Sequence, residues 1–288
     1  MVEFEVPEID YDQYSNRQLA AVPLAVLAVA IAVLVGAYLL TGSPVALGIE
    51  FTGGSQLTVE STMSQAEIQN TFTPEPVSVQ GVGGQANTYV LTFDAEAENV
   101  SALVDQAEAA DMTVLGSGET PASFGQQSQE IALLGLVVAF LGMSALAFAL
   151  FRTFVPSIAI VLSAFSDIVI PLAVLSLLQV KLSLGTVAAF LMLIGYSVDS
   201  DILLNNHILR RRGEFYESTH AAMRTGVSMT LTSIAAMTVM AIMATFYNID
   251  LMAQIGFVLV LGLTTDLMNT YMLNLSLLRW YKFEGVAR

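Results

Sequence analysis

The chain has 288 residues, of which 55% are hydrophobic and 12% charged, and its formal net charge is −15. Ten Lys and Arg beside 25 Asp and Glu exclude nucleic acid as a partner, because a phosphate-binding surface needs basic residues. The absence of cysteine excludes disulfides and Cys-based sites, and two histidines argue against a His-based metal site, so we expect no metal and no cofactor. This acidity is typical of a protein from a salt-rich environment.

Six apolar runs are each long enough, at roughly 20 residues, to cross the lipid bilayer as a helix. They predict a polytopic α-helical membrane protein with six transmembrane helices. Barrel strands are excluded, because runs this long satisfy their backbone groups internally only as helices. In chain order, the runs cover residues 19–40, 131–151, 155–178, 184–206, 225–247 and 251–278.

The basic residues fall almost entirely on one side of this arrangement. If the N-terminus is cytoplasmic, nine of the ten lie in cytoplasmic segments and only Lys181 lies outside, which is the positive-inside pattern. We therefore predict a protein of the cytoplasmic membrane with both terminal segments, 1–18 and 279–288, inside and the long loop, 41–129, outside. Residues 130–278 then form a five-helix bundle, with a short surface helix expected over 210–224.

The long loop is predicted to be a folded α+β domain. Alternating apolar residues indicate strands at 55–61, 77–82, 88–93 and 112–115, with a Gly-rich turn at 83–86. A helix at 64–72 begins with Ser64 and Glu67 in capping-box spacing, and a second helix is expected at 96–110. The order βαββαβ is that of the ferredoxin-like fold, an open sheet that commonly docks other proteins.

The end of the fourth span is the most polar part of the predicted membrane region. Ser197, Asp201 and Asn205 recur every four residues and therefore form one stripe. Asp199 is about 200° around the helix from Asp201 and faces elsewhere. One aspartate is expected to face the bundle and the other a partner subunit or the hydrated cytoplasmic boundary. His207 lies at the inner end of the same span.

Two more aspartates lie near the centres of other spans, Asp167 in the third and Asp266 in the sixth. Ionisable groups at this depth are costly and normally face a protein interior or a wet path. Without a basic residue at membrane depth, such carboxyl groups can take up and release protons. Pro171 is expected to kink or loosen the third span. The candidates for a proton relay are Asp167, Asp199, Asp201, Asn205, His207 and Asp266.

Several stretches together resemble the SecF family of protein-export membrane subunits. GIEFTGGSQLTV, residues 48–59, is similar to the family's opening signature, and GYSVDSDILLNNHILR, residues 195–210, to its fourth-span signature. RTGVSMTLT at 224–232 and NTYMLNLSLL at 269–278 resemble its last two spans. The motif residues are Phe51, Thr52, Gly53 and Gly54 in the first stretch, and Gly195, Tyr196 and Ser197 in the second.

The resemblance implies a half-transporter of the resistance-nodulation-division (RND) superfamily that is completed by SecD. It further implies partnership with the Sec translocon (the SecY complex) and with a translocating polypeptide, and use of the proton motive force. Asp167, within SDIVIP, matches the family's third-span aspartate. Asp199 and Ser200 stand where bacterial members have Asn-Asp, and His207 stands where they have arginine. With the acidic composition, this resembles the haloarchaeal form.

Two other functions are compatible with these residues. The chain could be a non-energised scaffold of the translocon whose outer domain only holds polypeptides. An intramembrane aspartyl protease would need two facing carboxyl groups, for which Asp167 and Asp199 are the candidates, but its Tyr-Asp and Gly-x-Gly-Asp signatures are absent. The predicted function is therefore a non-enzymatic subunit of the SecDF complex that assists Sec-dependent protein translocation.

Overall fold

A computed structural model describes residues 11–82, 85, 87–95, 99–210, 215–247 and 249–285. Within this part of the chain, six helices are long and apolar enough to cross a membrane, and a small antiparallel sheet lies between the first two of them. The predicted fold class is confirmed. The six helices are Asn16–Thr41, Ala122–Phe151, Phe154–Leu177, Leu184–Leu209, Phe215–Phe246 and Asp250–Gly285.

The first span, α1 (Asn16–Thr41), has well-defined ends. Ser15 caps it by accepting a hydrogen bond from the backbone N–H of Gln18, whose side-chain oxygen accepts in turn from the backbone N–H of Ser15. These two bonds satisfy donors that a helix start otherwise leaves free. The helix stops at Gly42, which adopts the left-handed conformation with φ 77°, a common helix terminator.

The outer domain follows with the predicted order of strands and helices. A short helix, α2 (Ile49–Thr52), precedes β1 (Gly54–Glu60), α3 (Gln65–Thr71), β2 (Ser78–Gly81), β3 (Thr88–Asp94), α4 (Val100–Ala109) and β4 (Thr113–Thr120). All pairings are antiparallel and the strand order is β2-β3-β1-β4, which is the ferredoxin-like arrangement. Most of the predicted Gly-rich turn, and residues 96–98 of the second predicted helix, lie outside the described residues.

One face of this sheet is covered by α3 and α4. The capping box at the start of α3 is present, with the Glu67 carboxylate accepting from the backbone N–H of Ser64 at 2.9 Å. These bonds from Ser64 lower the pKa of Glu67 below its ordinary value, because they stabilise the charged form. The buried core of the domain comprises Leu57, Val59, Ile68, Phe72, Leu91, Phe93, Leu103, Ala107 and Met112.

The remaining spans are α5 (Ala122–Phe151), α6 (Phe154–Leu177), α7 (Leu184–Arg210) and α8 (Phe215–Phe246). The start of α5 is polar, and it begins nine residues before the predicted span because the helix continues beyond its apolar part. The prediction of a separate surface helix at 210–224 is wrong for the part that is described. Residues from Phe215 onward belong to α8, where Phe215, Ala222 and Met223 pack against α7 and the C-terminal helix. Helix α6 continues through Pro171.

The sixth span is not a uniform α-helix. It consists of α9 (Asp250–Met268), a π-helical segment (Asn269–Asn274), α10 (Leu275–Trp280) and a second π-helical segment (Tyr281–Gly285). Helices α6 and α7 are the most buried of the six spans, whereas α5 and α8 turn most of their surface outward. Residues in the middle of α6, α7 and the sixth span therefore face one another in the bundle interior.

Candidate functional site: a carboxyl cluster in the bundle

Three aspartates from three different helices are buried in this interior. Asp167 on α6 and Asp201 on α7 are fully inaccessible to solvent, and Asp266 on α9 is 1% exposed. Each is surrounded by side chains that donate hydrogen bonds. The three acidic residues predicted from separate spans are thus brought together within one polar cluster.

Asp167 uses both of its carboxylate oxygens. The hydroxyl of Ser197 on α7 donates to Oδ2 at 2.6 Å, and Nδ2 of Asn269 donates to Oδ1 at 2.6 Å. This carboxyl group therefore ties α6 to α7 and to the sixth span at the same depth. Such short bonds to a carboxylate are typical of strong interactions.

Asp201 uses only one oxygen. Its Oδ1 accepts from the Thr270 hydroxyl and from Nδ2 of Asn274, both at 2.8 Å. Its Oδ2 is buried and has no hydrogen-bond partner among the described residues. A free acceptor of this kind is costly to leave in an apolar interior, and protonation of that oxygen would turn it into a donor.

Asp266 is linked to Asp201 through a shared hydroxyl. Ser200 donates to the two Asp266 oxygens at 2.8 and 3.0 Å, and Thr270 lies 3.3 Å from Oδ1 of Asp266. Thr270 has a single hydroxyl proton, so it donates to Asp201 or to Asp266 at any moment but not to both. A hydroxyl also accepts, which makes Thr270 suited to pass a proton between the two carboxyl groups.

The cluster holds no compensating positive charge. No lysine, arginine or histidine hydrogen-bonds to the three carboxyl groups in the part of the chain that the structure describes. The same residues contain no group of side chains able to hold a metal ion. Since an isolated buried carboxylate is costly, the number of negative charges that the site can hold at once is small.

The structure separates the two neighbouring aspartates of the fourth span. Asp201 faces the cluster together with Ser197 and Asn205, which are also fully buried. The Asn205 amide donates to the Pro156 carbonyl oxygen at 3.3 Å. Asp199 lies on the exposed side of α7. Asp167 and Asp199 therefore do not form the facing pair that an aspartyl protease requires.

His207 is half-buried and does not hydrogen-bond to the cluster. Its Nδ1 lies 2.9 Å from the carbonyl oxygen of Leu203, one turn earlier in the same helix. The donors missing from the predicted proton relay are Ser200, Asn269, Thr270 and Asn274. The sequence could have indicated two of them. Thr270 and Asn274 lie four and eight positions after Asp266 and so fall on nearly the same helix face.

The Gly-Gly motif serves a structural purpose at the base of the outer domain. Gly54 has φ 143°, and a Cβ there would lie 2.4 Å from the carbonyl oxygen of Phe93. Gly53 has φ 79°, and its Cβ would lie 2.7 Å from Cα of Ala122, at the start of α5. The motif lets β1 begin directly against β3 and α5, a close approach that only glycine permits.

Of the other residues in the two motifs, some are packed in the interior and others lie on the outward side of α7. Phe51 is buried, and its carbonyl oxygen accepts from Nε2 of Gln129 at 2.8 Å. The Thr52 hydroxyl donates to the Gly53 carbonyl oxygen at 2.9 Å. Gly195 borders open space, and Tyr196 is 39% exposed, so both lie on the same outward side of α7 as Asp199.

Comparison with known proteins identifies related chains. A family model described as "Protein export membrane protein SecD/SecF, C-terminal" matches residues 99–284, and one described as "SecD/SecF GG Motif" matches residues 38–65. The protein-export membrane protein SecF of Haloferax volcanii is 62% identical over 288 residues, covering 100% of both chains. SecF of Haloquadratum walsbyi is 60% identical, again over 100% of both chains.

A solved structure has a similar fold. The crystal structure of SecDF, a translocon-associated membrane protein from Thermus thermophilus, aligns with a TM-score of 0.74 at 18% identity. The alignment covers 96% of this chain and 39% of that chain. The six spans and the outer domain thus correspond in fold to part of a longer protein.

Proposed function

The chain belongs to the SecD/SecF family of protein-export membrane proteins, and we propose that it couples proton movement through its carboxyl cluster to motion of its outer domain. Members of this family are membrane components of protein export and not enzymes. The haloarchaeal relatives agree with the predicted archaeal, salt-adapted source. The proposed setting is a complex with SecD in the cytoplasmic membrane, beside the SecY translocon, acting on a translocating polypeptide, with both termini cytoplasmic.

The observation that carries this proposal is the composition of the cluster. Asp167, Asp201 and Asp266 are buried without a cation, and Thr270 links two of them. Proton uptake by one of these groups changes which hydrogen bonds hold α6, α7 and the sixth span together. One charge crossing 100 mV releases about 2.3 kcal/mol, which is enough to shift a balance between two domain positions.

A backbone contact offers a route from the cluster to the outer domain. The loop joining α6 to α7 forms a parallel bridge with the segment that follows α1. The Leu182 N–H donates to the Ala46 carbonyl oxygen at 2.7 Å, and the Gly48 N–H donates to the Leu182 carbonyl oxygen at 2.8 Å. Because α6 carries Asp167 and α7 carries Asp201, a shift of either helix is transmitted through this loop to the base of the domain.

The outward side of α7 is the surface that we propose for SecD. Asp199 lies there with Met192 and Tyr196, which are 43% and 39% exposed. A charged side chain on a membrane helix normally faces protein or water rather than lipid. Replacing Asp199 with Lys is expected to reduce the amount of SecD that co-purifies with this chain, whereas Asp199→Asn keeps the size and hydrogen-bonding capacity and is the matched control.

The experiment that tests coupling measures export in cells that carry single Asp→Asn variants at positions 167, 201 and 266. We expect each variant to lose the part of export that an uncoupler abolishes in the wild type, while the chain still accumulates and still binds SecD. Asp199→Asn is expected to retain that part. If all three variants export as the wild type does, the cluster has no coupling role.

The scaffold function gives a different result in the same experiment. Export would then depend on the outer domain but would be indifferent both to the uncoupler and to the three substitutions. Leu182→Pro tests the backbone route independently of the carboxyl cluster. It removes the N–H that donates to Ala46 and leaves the three carboxyl groups intact. Coupling predicts that this variant also loses the uncoupler-sensitive part of export.

A further inference from the structure

A groove with two arginines lies at the end of the bundle where α1 begins, and none of its lining residues belongs to the carboxyl cluster. It has a volume of about 770 Å³ and lies between the start of α1, the start of α8 and the C-terminal helix. Arg17 and Arg279 line it, with Glu284 as the acidic residue of the lining. The aromatic side chains of the lining are Tyr216, Trp280 and Phe283.

Arg279 is held in place by neutral partners. Its Nη1 donates to the carbonyl oxygens of Tyr11 and Tyr14 at 3.0 and 2.8 Å, and its guanidinium lies 5.8 Å from the centre of the Tyr216 ring. Neither Arg279 nor Arg17 forms an ion pair with a carboxylate of the described residues. In a chain with 25 acidic and 10 basic residues, these two arginines thus face one groove with no ion-pair partner among the side chains that the structure describes.

The groove lies at the ends of two membrane spans, which is where lipid headgroups are expected to meet the protein. Arg17 is near the start of the 26-residue span α1, and Arg279 lies in the last turn of α10, in the final part of the sixth span. Trp280 and Phe283 are 43% and 53% exposed, and tryptophan is enriched at the boundary between lipid and water. An anion that carries apolar chains fits such surroundings better than a soluble one.

We propose that this groove binds the phosphate of an anionic membrane lipid. The guanidinium groups of Arg17 and Arg279 donate to the phosphate oxygens, because the planar fork of arginine matches phosphate geometry. Tyr216 fixes the plane of Arg279, and Trp280 and Phe283 contact the glycerol and upper acyl region. The bound lipid joins α1 to the C-terminal helix, which are the first and last spans of the chain.

The chain offers a direct optical test, because Trp280 is its only tryptophan. The purified full-length chain is reconstituted at one salt concentration into vesicles that contain equal fractions of dibrominated phosphatidylglycerol or dibrominated phosphatidylcholine. Bromine quenches tryptophan fluorescence on contact. We expect stronger quenching with phosphatidylglycerol, and we expect Arg17→Gln and Arg279→Gln each to lower that preference about fivefold, as for the loss of one basic residue at an anionic surface.

Two variants keep the result interpretable. Arg279→Lys retains the charge and is expected to retain part of the preference even if Arg279→Gln folds poorly. Arg152→Gln removes an exposed arginine from the loop between α5 and α6, at the same end of the bundle, and should leave the preference unchanged. Equal quenching by the two lipids, or an equal loss with Arg152→Gln, overturns the proposal.

Two other anions could occupy the groove, and two further measurements distinguish them from a lipid. If millimolar inorganic phosphate abolishes the preference without a change in ionic strength, the ligand is a soluble phosphate and not a lipid. The N-terminal residues Glu3, Glu5, Glu8 and Asp10 are the second source of negative charge. If a preference for phosphatidylglycerol appears only after these four are replaced by Gln and Asn, the groove belongs to that segment and the lipid proposal fails.

Discussion

The asymmetric hydrogen bonding of Asp201 gives a sharp prediction about two substitutions. Asparagine retains Oδ1, which accepts from Thr270 and Asn274, and places its NH₂ group where Oδ2 has no partner among the described residues. One unsatisfied acceptor is exchanged for one unsatisfied donor. We therefore expect Asp201→Asn to change the free energy of unfolding by less than about 1 kcal/mol.

Leucine at the same position removes the acceptor. Thr270 can then donate to Asp266, which lies 3.3 Å from its hydroxyl, but the Asn274 amide loses its partner. A buried donor without an acceptor costs about 1–3 kcal/mol. Asp201→Leu is therefore expected to be less stable than Asp201→Asn by about that amount, although both lack the titratable carboxyl group.

Thermal unfolding of the purified chain in detergent, followed by circular dichroism, measures the stability difference, and pulse-labelled secretion in cells measures export. The expected combination is wild-type stability with impaired export for Asp201→Asn, and loss of both for Asp201→Leu. If the asparagine variant unfolds as early as the leucine variant, the carboxylate charge and not the Oδ1 hydrogen bonds stabilises the site. If it exports normally, Asp201 does not carry the proton.

Two further predictions concern the outer domain. Gly54→Ala should destabilise the full chain by about 1–3 kcal/mol, because its Cβ would lie 2.4 Å from the Phe93 carbonyl oxygen. The control is Gly118→Ala on β4, whose Cβ meets nothing within 4 Å and should have little effect. Thermal unfolding compares the two variants. Bonds from Ser64 lower the folded-state pKa of Glu67, so its charge stabilises the domain above the unfolded pKa and this contribution is lost as the pH falls through the folded pKa. The melting temperature of Glu67→Gln should therefore lie below that of the wild type at pH 7 and approach it as the pH falls through the folded-state pKa, and a gap that stays constant would contradict this account.

The sequence was sufficient for features that depend on composition and local periodicity. Long apolar runs locate the spans, and alternation together with the Ser64–Glu67 spacing locates the outer domain. The four-residue repeat of Ser197, Asp201 and Asn205 predicts that these side chains share one side of a helix. It could not say which side faces inward, because a helical repeat fixes relative and not absolute orientation.

Features that depend on neighbouring helices were not predictable in the same way. The first described turns of α8, from Phe215 onward, continue the span and are stabilised by burial against α7 and α10, whereas their polar sequence favours a separate surface helix. The late end of β4, at Thr120, follows from pairing with β1, since the residues GSGE have little intrinsic preference for strand.

The π-helical segment of the sixth span explains how one stretch of chain serves two aspartates. Asn269 and Asn274 are five positions apart, which in an α-helix would place their side chains about 140° from each other. In a π-helix, whose backbone bonds run between residues five apart, the wider turn brings these two side chains closer to one side of the helix. Asn269 then reaches Asp167 on α6 while Asn274 reaches Asp201 on α7, each with Nδ2 within 2.8 Å of a carboxylate oxygen. An α-helical turn here would leave one of the two aspartates without its amide donor. A change of charge on either aspartate therefore acts on the same π-helical segment.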